Sequence, residues 1–299
     1  MPADLRFRAM GSDAHVIVVG GSRSLLDAAC SRIEQLEQRW SRFVPESEIG
    51  RLNQRAGQRV EVSADSVELV TRALQAWRAT NGLFDPTVLG ALVRAGYDRS
   101  FDLINPADAH DGASALELGA AGIAVGDGWV KLPADIGFDP GGVGKGLAAD
   151  LVVDELIDAG ADGACVNLGG DIRAKGEGPD GHGWTIEVRD PREPAPLAVV
   201  GITDGAIASS STLRRRWVAD GVARHHLIDP ATAEPSTSNI VFATAVAAHA
   251  WAAEVWAKVV VISGGFDVLN RTGVEALAVD DRGKVSRTFG FAAYAETAA

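Results

Sequence analysis

The 299 residues are 46% hydrophobic and 23% charged, enough apolar mass to bury a sizeable core as one large domain or as two intimately joined lobes. Lys and Arg number 28 against 40 Asp and Glu, and the net charge of −12 argues against general binding to nucleic acid or anionic membranes, which needs clustered cations. The 2 cysteines, Cys30 and Cys165, have neither CxxC nor histidine spacing and read as reduced core residues.

The first residues, Met1-Pro2-Ala3-Asp4-Leu5-Arg6, lack the apolar run of a secretory signal, and no lipidatable cysteine follows, so the reading is a cytoplasmic protein. A strand over Ala14–Val19 leads into a helix over Ser24–Trp40, on which Leu26, Cys30, Ile33 and Leu36 recur at helical spacing. A loop with Pro45 and Glu46 follows. The helix predicted over Ala64–Thr80 has Ser63 as its cap and Asn81-Gly82 as its stop, and it delivers Leu83-Phe84-Asp85 at its C-terminal end. Beyond a polar stretch, Asn105–Ser114, the turn Gly126-Asp127-Gly128 joins strands at Gly122–Val125 and Val130–Leu132.

A central helix is predicted over Gly142–Ala159, and the chain then becomes strand-rich: Ala164–Leu168, Trp184–Val188, Leu197–Ile202, Gly205–Ser210, Arg216–Val218 and Arg224–Ile228. The most apolar run, Ile240–Gly265, contains His249, Glu254 and Lys258, each of which a bilayer core penalises by a few kcal/mol. It therefore splits into a strand, Ile240–Val246, and a helix, Ala247–Ser263, and nothing inserts in a membrane. Residues 266–299 are expected to complete the fold with further strands. Antiparallel strands flanked by a few long helices make the class α+β.

Chemistry concentrates at glycine turns. In Asp139-Pro140-Gly141-Gly142-Val143-Gly144-Lys145-Gly146, small residues precede a Lys at a helix start, which leaves backbone N–H groups and an ammonium facing a common point, suited to phosphate. Gly146 stands where a P-loop needs Ser or Thr for magnesium, so the anion is not a nucleoside triphosphate held in that way. Taken alone, such glycines are more often caps and tight turns. A second pair lies in Asn167-Leu168-Gly169-Gly170-Asp171-Ile172, and Gly82-Leu83-Phe84-Asp85-Pro86-Thr87 and His226-Leu227-Ile228-Asp229-Pro230 complete the set. Arg214-Arg215-Arg216 reads as a solvated strand face, with a phosphate role open from its place after Ser209–Ser211.

In this order the motifs resemble those of the ApbE-like FAD:protein FMN transferases: Met10-Gly11-Ser12, then Ser41-Arg42-Phe43 through Glu48-Ile49 to Leu52-Asn53, then Gly82 to Thr87, Asp139 to Asp150, Asn167 to Ile172, Ser209-Ser210-Ser211, and His226 to Pro230. The resemblance implies a two-lobed, T-fold-like architecture with FAD held between the lobes. It also implies transfer of FMN to a Ser or Thr hydroxyl of a partner redox protein, with AMP released. By resemblance, Met10, Phe43, Leu83, Phe84, Asp85, Asp139, Lys145, Ser210 and Ile228 fall at flavin-nucleotide positions. Asp171 reads as orienting the Gly169-Gly170 turn or a ligand hydroxyl, or as a plain cap of that turn. His226 falls at the position of a general base or phosphate-orienting group, a role that an imidazole suits near neutral pH. Lys145 is the internal candidate for offsetting pyrophosphate charge.

One departure concerns the metal. The resemblance implies magnesium held by a backbone carbonyl of the glycine turn, here Gly142, and by an Asp and a Thr four residues apart on a late helix. Those two positions are Glu254 and Lys258 here, and an ammonium cannot coordinate a cation. Either Lys258, paired with Glu254, supplies the charge in place of magnesium, or the site has lost transferase chemistry and keeps flavin-nucleotide binding; the plainest alternative is an ordinary helix-face ion pair. Ser211, at a Gly position, would narrow its turn. Alternatives to transfer are hydrolysis of FAD to FMN and AMP, or FAD binding without catalysis.

Overall fold

The structure, a computed structural model, describes residues 2–104, 118–219 and 221–296; the polar stretch Asn105–Ser114 lies outside them. The chain forms two compact units, one of Met1–Gln35, Lys145–Ser211 and Asn239–Ala299, the other of Leu36–Gly144 and Thr212–Ser238.

The first unit is built on an eight-stranded sheet in the order Ala3–Ala9, Ser12–Val19, Gly163–Leu168, Asp171–Gly176, Asp204–Ser211, Ile240–Ala247, Glu275–Asp280, Val285–Arg287, every neighbour antiparallel. Residue size alternates along the inner strands. Ile207, Phe242, Val246, Leu277 and Val279 point to one face, where they pack with Trp184, Val200 and Phe291 beneath the small sheet Trp184–Arg189, Pro196–Ile202, Ala295–Glu296. The residues between them, Ala206, Ala208, Ala243, Ala245 and Ala278, are buried on the other face. The helix Ala250–Ser263 packs on those strands, and small side chains let it come close. It is apolar nearly all round and correspondingly buried.

The apolar run thus divides into strand and helix as its charges require. The strand runs on to Ala247, so the helix starts at Ala250 instead of Ala247. The central helix starts at Gly144, two residues later than predicted, because the Pro140 carbonyl accepts the N–H groups of Gly142 and Gly144 in a preceding turn. Strand Ala3–Ala9 was not visible as a pattern: an edge strand, it exposes or half-exposes most of its residues. Cys165 is buried in the sheet and burial pushes its thiol up to about 12, whereas Cys30 is only half-buried on its helix, which corrects the core reading for that residue.

The second unit holds the helices Glu48–Gln54, Ala64–Ala79 and Leu89–Arg94, the small sheet Arg59–Glu61, Trp129–Lys131, Ala124–Gly126, and two hairpins, Arg216–Ala219 with Val222–His225 and Ile228–Asp229 with Glu234–Pro235. Ser63 caps the second helix, its hydroxyl accepting from Ser66 N at 3.4 Å, as its residue type predicts. A strand expected at Gly122–Val125 begins instead as a short 3₁₀ turn, Ala120–Gly122, with the strand following at Ala124–Gly126. The strand expected over Arg224–Ile228 breaks at a bend on His226.

Candidate functional site

In the first unit the strand register gathers several motifs at one end of the eight-stranded sheet. Met10 and Gly11 form a two-residue hairpin loop with φ of 51° and 64°, the left-handed pair that such a loop needs. A methionine in that region is unusual. Gly169 and Gly170, at 67° and 101°, turn the next hairpin, and glycine meets this demand without strain. Because Ala14 pairs with Leu168, the two loops are neighbours: Gly169 N donates to Asp13 O at 2.9 Å, and a side chain at Gly169 would meet Ser12 Cβ at 2.7 Å. Asn167 Oδ1 accepts from Gly170 N at 2.8 Å and locks the turn.

Asp171, first residue after that turn, is 2% exposed, and its carboxylate pairs with the Lys145 ammonium. Glu254, from the helix on the sheet, closes the cluster: Oε1 lies 3.2 Å from Lys145 Nζ, and Oε2 accepts from Gly146 N at 2.8 Å. Two carboxylates therefore share one ammonium and one of the first-turn N–H groups of helix Gly144–Asp158. The expectation that Lys145 and those N–H groups face an empty phosphate cradle is revised by this geometry, since Glu254 occupies that N–H. Gly146 is required for a second reason: a Cβ there would sit 2.4 Å from Ala250 O, where the two helices cross.

The exchange is reciprocal. Asp150, one turn after Gly146, accepts from Ala250 N at 2.8 Å and Trp251 N at 3.0 Å, the opening donors of the helix that carries Glu254. The residue at its own N-cap, His249, makes no side-chain cap hydrogen bond. Burial raises the Asp150 carboxyl to about 6, against the pull of the two N–H groups, His249 and Arg173. Arg173, itself 4% exposed, lies 3.3 Å from Asp150 and 2.6 Å from Asp204. Lys258 is half-buried one turn beyond Glu254 on the same helix.

Ser210 is in strand Asp204–Ser211, on the helix-facing side by alternation, and the register carries that strand past Ile172 to the end of the sheet where Asp171 begins. The Ser209–Ser211 step is strand, not turn: Ser211 pairs with Phe242 and its hydroxyl donates to Val241 O at 2.9 Å, so a side chain there narrows nothing.

In the second unit four motif segments meet at Phe138-Asp139. Asn53 pairs with the Phe138 backbone as a strand would, donating to O at 3.0 Å and accepting from N at 2.7 Å. Pro86 O accepts from Asp139 N at 2.8 Å, and Arg42 Nε lies 2.9 Å from Asp139 Oδ1. Ahead of Pro86, Asp85 is buried and its Oδ1 accepts from Thr87 N at 2.7 Å; burial raises its pKa, opposed by the Thr87 and Trp77 hydrogen bonds. Its carboxylate anchors the turn. Phe84 is buried beside it, Leu83 half-buried, and Gly142 is buried in the turn ahead of the central helix. Phe43 is 38% exposed, whereas Ile228 is buried with Tyr97 and Trp217.

The adjacent histidines separate cleanly. His225 Nε2 lies 3.0 Å from the Ser236 carbonyl and so donates to it, and Nδ1 accepts from Leu227 N at 3.3 Å; that pairing fixes one neutral tautomer, and burial lowers its pKa. His226 is half-buried on the bend between the hairpins. Arg215, with φ of 48°, donates to Tyr97 Oη at 3.4 Å, and only Arg216 of the arginine run is in a strand. Sequence reasoning missed roles for Arg42, Tyr97, Arg173 and Asp150. Asp150 had a signal as a motif end and Arg42 as a member of the Ser41-Arg42-Phe43 motif; Tyr97 and Arg173 had none.

A model of the ApbE family matches residues 10–278. The FAD:protein FMN transferase of Vibrio cholerae serotype O1 is 28% identical over 235 residues, covering 76% of this chain and 70% of that protein. The transferase of the same description from Klebsiella pneumoniae strain 342 is 29% identical over 301 residues, 96% of this chain and 82% of its own. The ApbE protein of Thermotoga maritima superposes with a TM-score of 0.88 at 25% identity, covering 99% of this chain and 100% of its own. The flavin transferase ApbE of Vibrio cholerae shares the fold at a TM-score of 0.83 and 23% identity, over 98% and 99% of the two chains. The chain belongs to the ApbE family.

Proposed function

We propose that the protein binds FAD and transfers its FMN half to a Ser or Thr hydroxyl of a partner redox protein. The acceptor oxygen attacks the FMN phosphorus, the phosphoanhydride P–O bond breaks, AMP leaves with the electron pair, and the hydroxyl proton passes to a base. The observation that carries this reading is the gathering of the Met10-Gly11 turn, the Gly169-Gly170 turn and the Lys145, Asp171 and Glu254 cluster at one end of one sheet. His226 is the base in this reading, since the ring of His225 is committed to Ser236 and Leu227. Lys145 organises the two carboxylates, and the Lys258 ammonium adds positive charge on the helix that carries Glu254.

The residues at the magnesium positions do not fit that ion. Both oxygens of Glu254 are engaged, by Gly146 N–H and by Lys145, and Lys258 has no lone pair to give. Among the described residues no group of three or more His, Cys, Asp or Glu is arranged to hold a metal. The reading routes no step through one. No helix among the described residues is long and apolar enough to cross a membrane.

The test incubates the purified protein with FAD, with and without a candidate redox acceptor, and follows AMP by chromatography and flavin remaining on the acid-precipitated acceptor. AMP equal to acceptor-bound flavin is the expected result. AMP with only free FMN means that water is the acceptor, and FAD bound intact under all conditions leaves a binding protein.

A further inference from the structure

Arg42 stands at a point where three segments of the second unit meet, and none of its contacts is generic. Its side chain is 6% exposed, with Nε 2.9 Å from Asp139 Oδ1 and NH2 donating to the Tyr97 carbonyl at 3.0 Å. The guanidinium carbon also lies 4.2 Å from the centroid of the Phe43 ring and 4.6 Å from that of Tyr97. The Phe43 and Tyr97 rings are 5.9 Å apart and tilted by 46°, and Trp217 continues the stack 5.5 Å beyond Tyr97. Phe43, at the open end of this stack, keeps 38% of its surface in solvent.

The loop that carries Phe43 is fastened elsewhere as well: Ser47 Oγ donates to Ser41 O at 2.6 Å and accepts from Gly50 N at 2.8 Å. What those bonds leave free is the rotation of the Phe43 ring. A planar, always-charged guanidinium against the ring sets that angle, and the same group pins the Asp139 carboxylate; a lysine cannot do both, because its ammonium is a point charge without a fork.

We infer that Arg42 is a positioning residue of the flavin-nucleotide site, fixing the Phe43 ring and the Asp139 carboxylate in one arrangement before the ligand arrives. The inference rests on the proposed FAD binding. It assigns the open face of Phe43 to an aromatic ring of the ligand, which finds the phenyl ring already oriented and loses less freedom on binding.

The test is a double-mutant cycle on Arg42→Lys and Phe43→Leu in the full chain, with FAD affinity read from quenching of flavin fluorescence and AMP release read as kcat and KM. Arg42→Lys should weaken FAD binding about tenfold, the size of one desolvated cation–π contact, and raise KM in step with kcat changed less than about threefold. In the Phe43→Leu background the same change should cost clearly less, because the ring it orients is gone and only the Asp139 contact remains to be lost. Arg42→Lys that folds and binds FAD as the wild type does, or losses that multiply in the double variant, overturns the inference. A wild type that binds no FAD overturns the functional reading and takes this inference with it. If Arg42→Lys does not fold, Arg42→Gln/Asp139→Asn, which together bury no lone charge, are introduced into the wild type and into Phe43→Leu: a loss of about fivefold in the first and clearly less in the second supports ring positioning, and equal losses reject it.

Discussion

At the scale of single residues, two pairs that look alike in the sequence do different work. His225 and His226 are neighbours, yet the first spends both ring nitrogens on backbone groups, the Ser236 carbonyl and the Leu227 N–H, at 3.0 and 3.3 Å. His226→Asn should therefore lower AMP release by about a hundredfold or more with FAD affinity retained, in the range typical of a lost general base. His225→Asn should act mainly through stability, seen as a lowered Tm with kcat nearly kept. Glu254 and Lys258 read as an i, i+4 pair, but Glu254 reaches across to Lys145 and Gly146. Lys258→Thr puts an oxygen where the ammonium was; AMP release by that variant should become sensitive to EDTA and restored by magnesium, whereas the wild type should respond to neither. Equal responses in both proteins count against Lys258 as the stand-in for a cation.

At the scale of elements, the crossing of helices Gly144–Asp158 and Ala250–Ser263 sets the geometry of the cluster. Gly146→Ala gains about 1 kcal/mol of helix propensity but drives a methyl into Ala250 O, 2.4 Å from the ideal Cβ. Overpacking should win, leaving the variant about 2 kcal/mol less stable by urea unfolding. Asp150 gives a pH signature. Its folded pKa stands above its usual value, so the folded state binds the proton more tightly than the unfolded chain; the resulting stability is whole below about pH 4 and is lost as pH rises through about 6. Asp150→Asn removes this dependence. Unfolding free energy of wild type minus variant should fall by up to ~3 kcal/mol between pH 4 and pH 7, and a difference that rises instead would mean that the helix N–H groups and Arg173 outweigh burial.

For the whole molecule, the eight-stranded sheet uses strands from both ends of the chain, Ala3–Ala9 at one edge and Val285–Arg287 at the other. Ending the chain after Arg271 removes Glu275–Asp280, which pairs along six positions with Ile240–Ala247, and the fully buried Phe291. Such a truncation should fail to give a cooperative thermal transition. How much of this was legible follows from what each feature depends on. The helix at Ser24 announced itself by apolar spacing, that at Ala64 by its cap and stop, that at Ala250 by an apolar run interrupted by charges, and the glycine turns by a demand that few residues meet. The edge strand Ala3–Ala9, and the job of Arg173, depend on what the rest of the chain places beside them, which no local pattern records. The candidate site divided in the same way: motif order brought out Lys145, Asp171 and Asp139, but the partners of Lys145, and the presence of Arg42 beneath Phe43, follow only from the register of strands and the crossing of helices.

The reciprocal bonding of the two helices also constrains editing of the chain. Gly146 and Asp150 on one helix, and Ala250 and Glu254 on the other, are each four residues apart, and each carboxylate reads the opening turn of the opposite helix. The interval works as a ruler laid in both directions. One added or deleted residue inside either interval swings its carboxylate round the helix by about 100° and unseats both contacts together. Length polymorphism within residues 146–150 and 250–254 should accordingly be absent from any functional variant, whereas the exposed tip at 193–195 tolerates added residues.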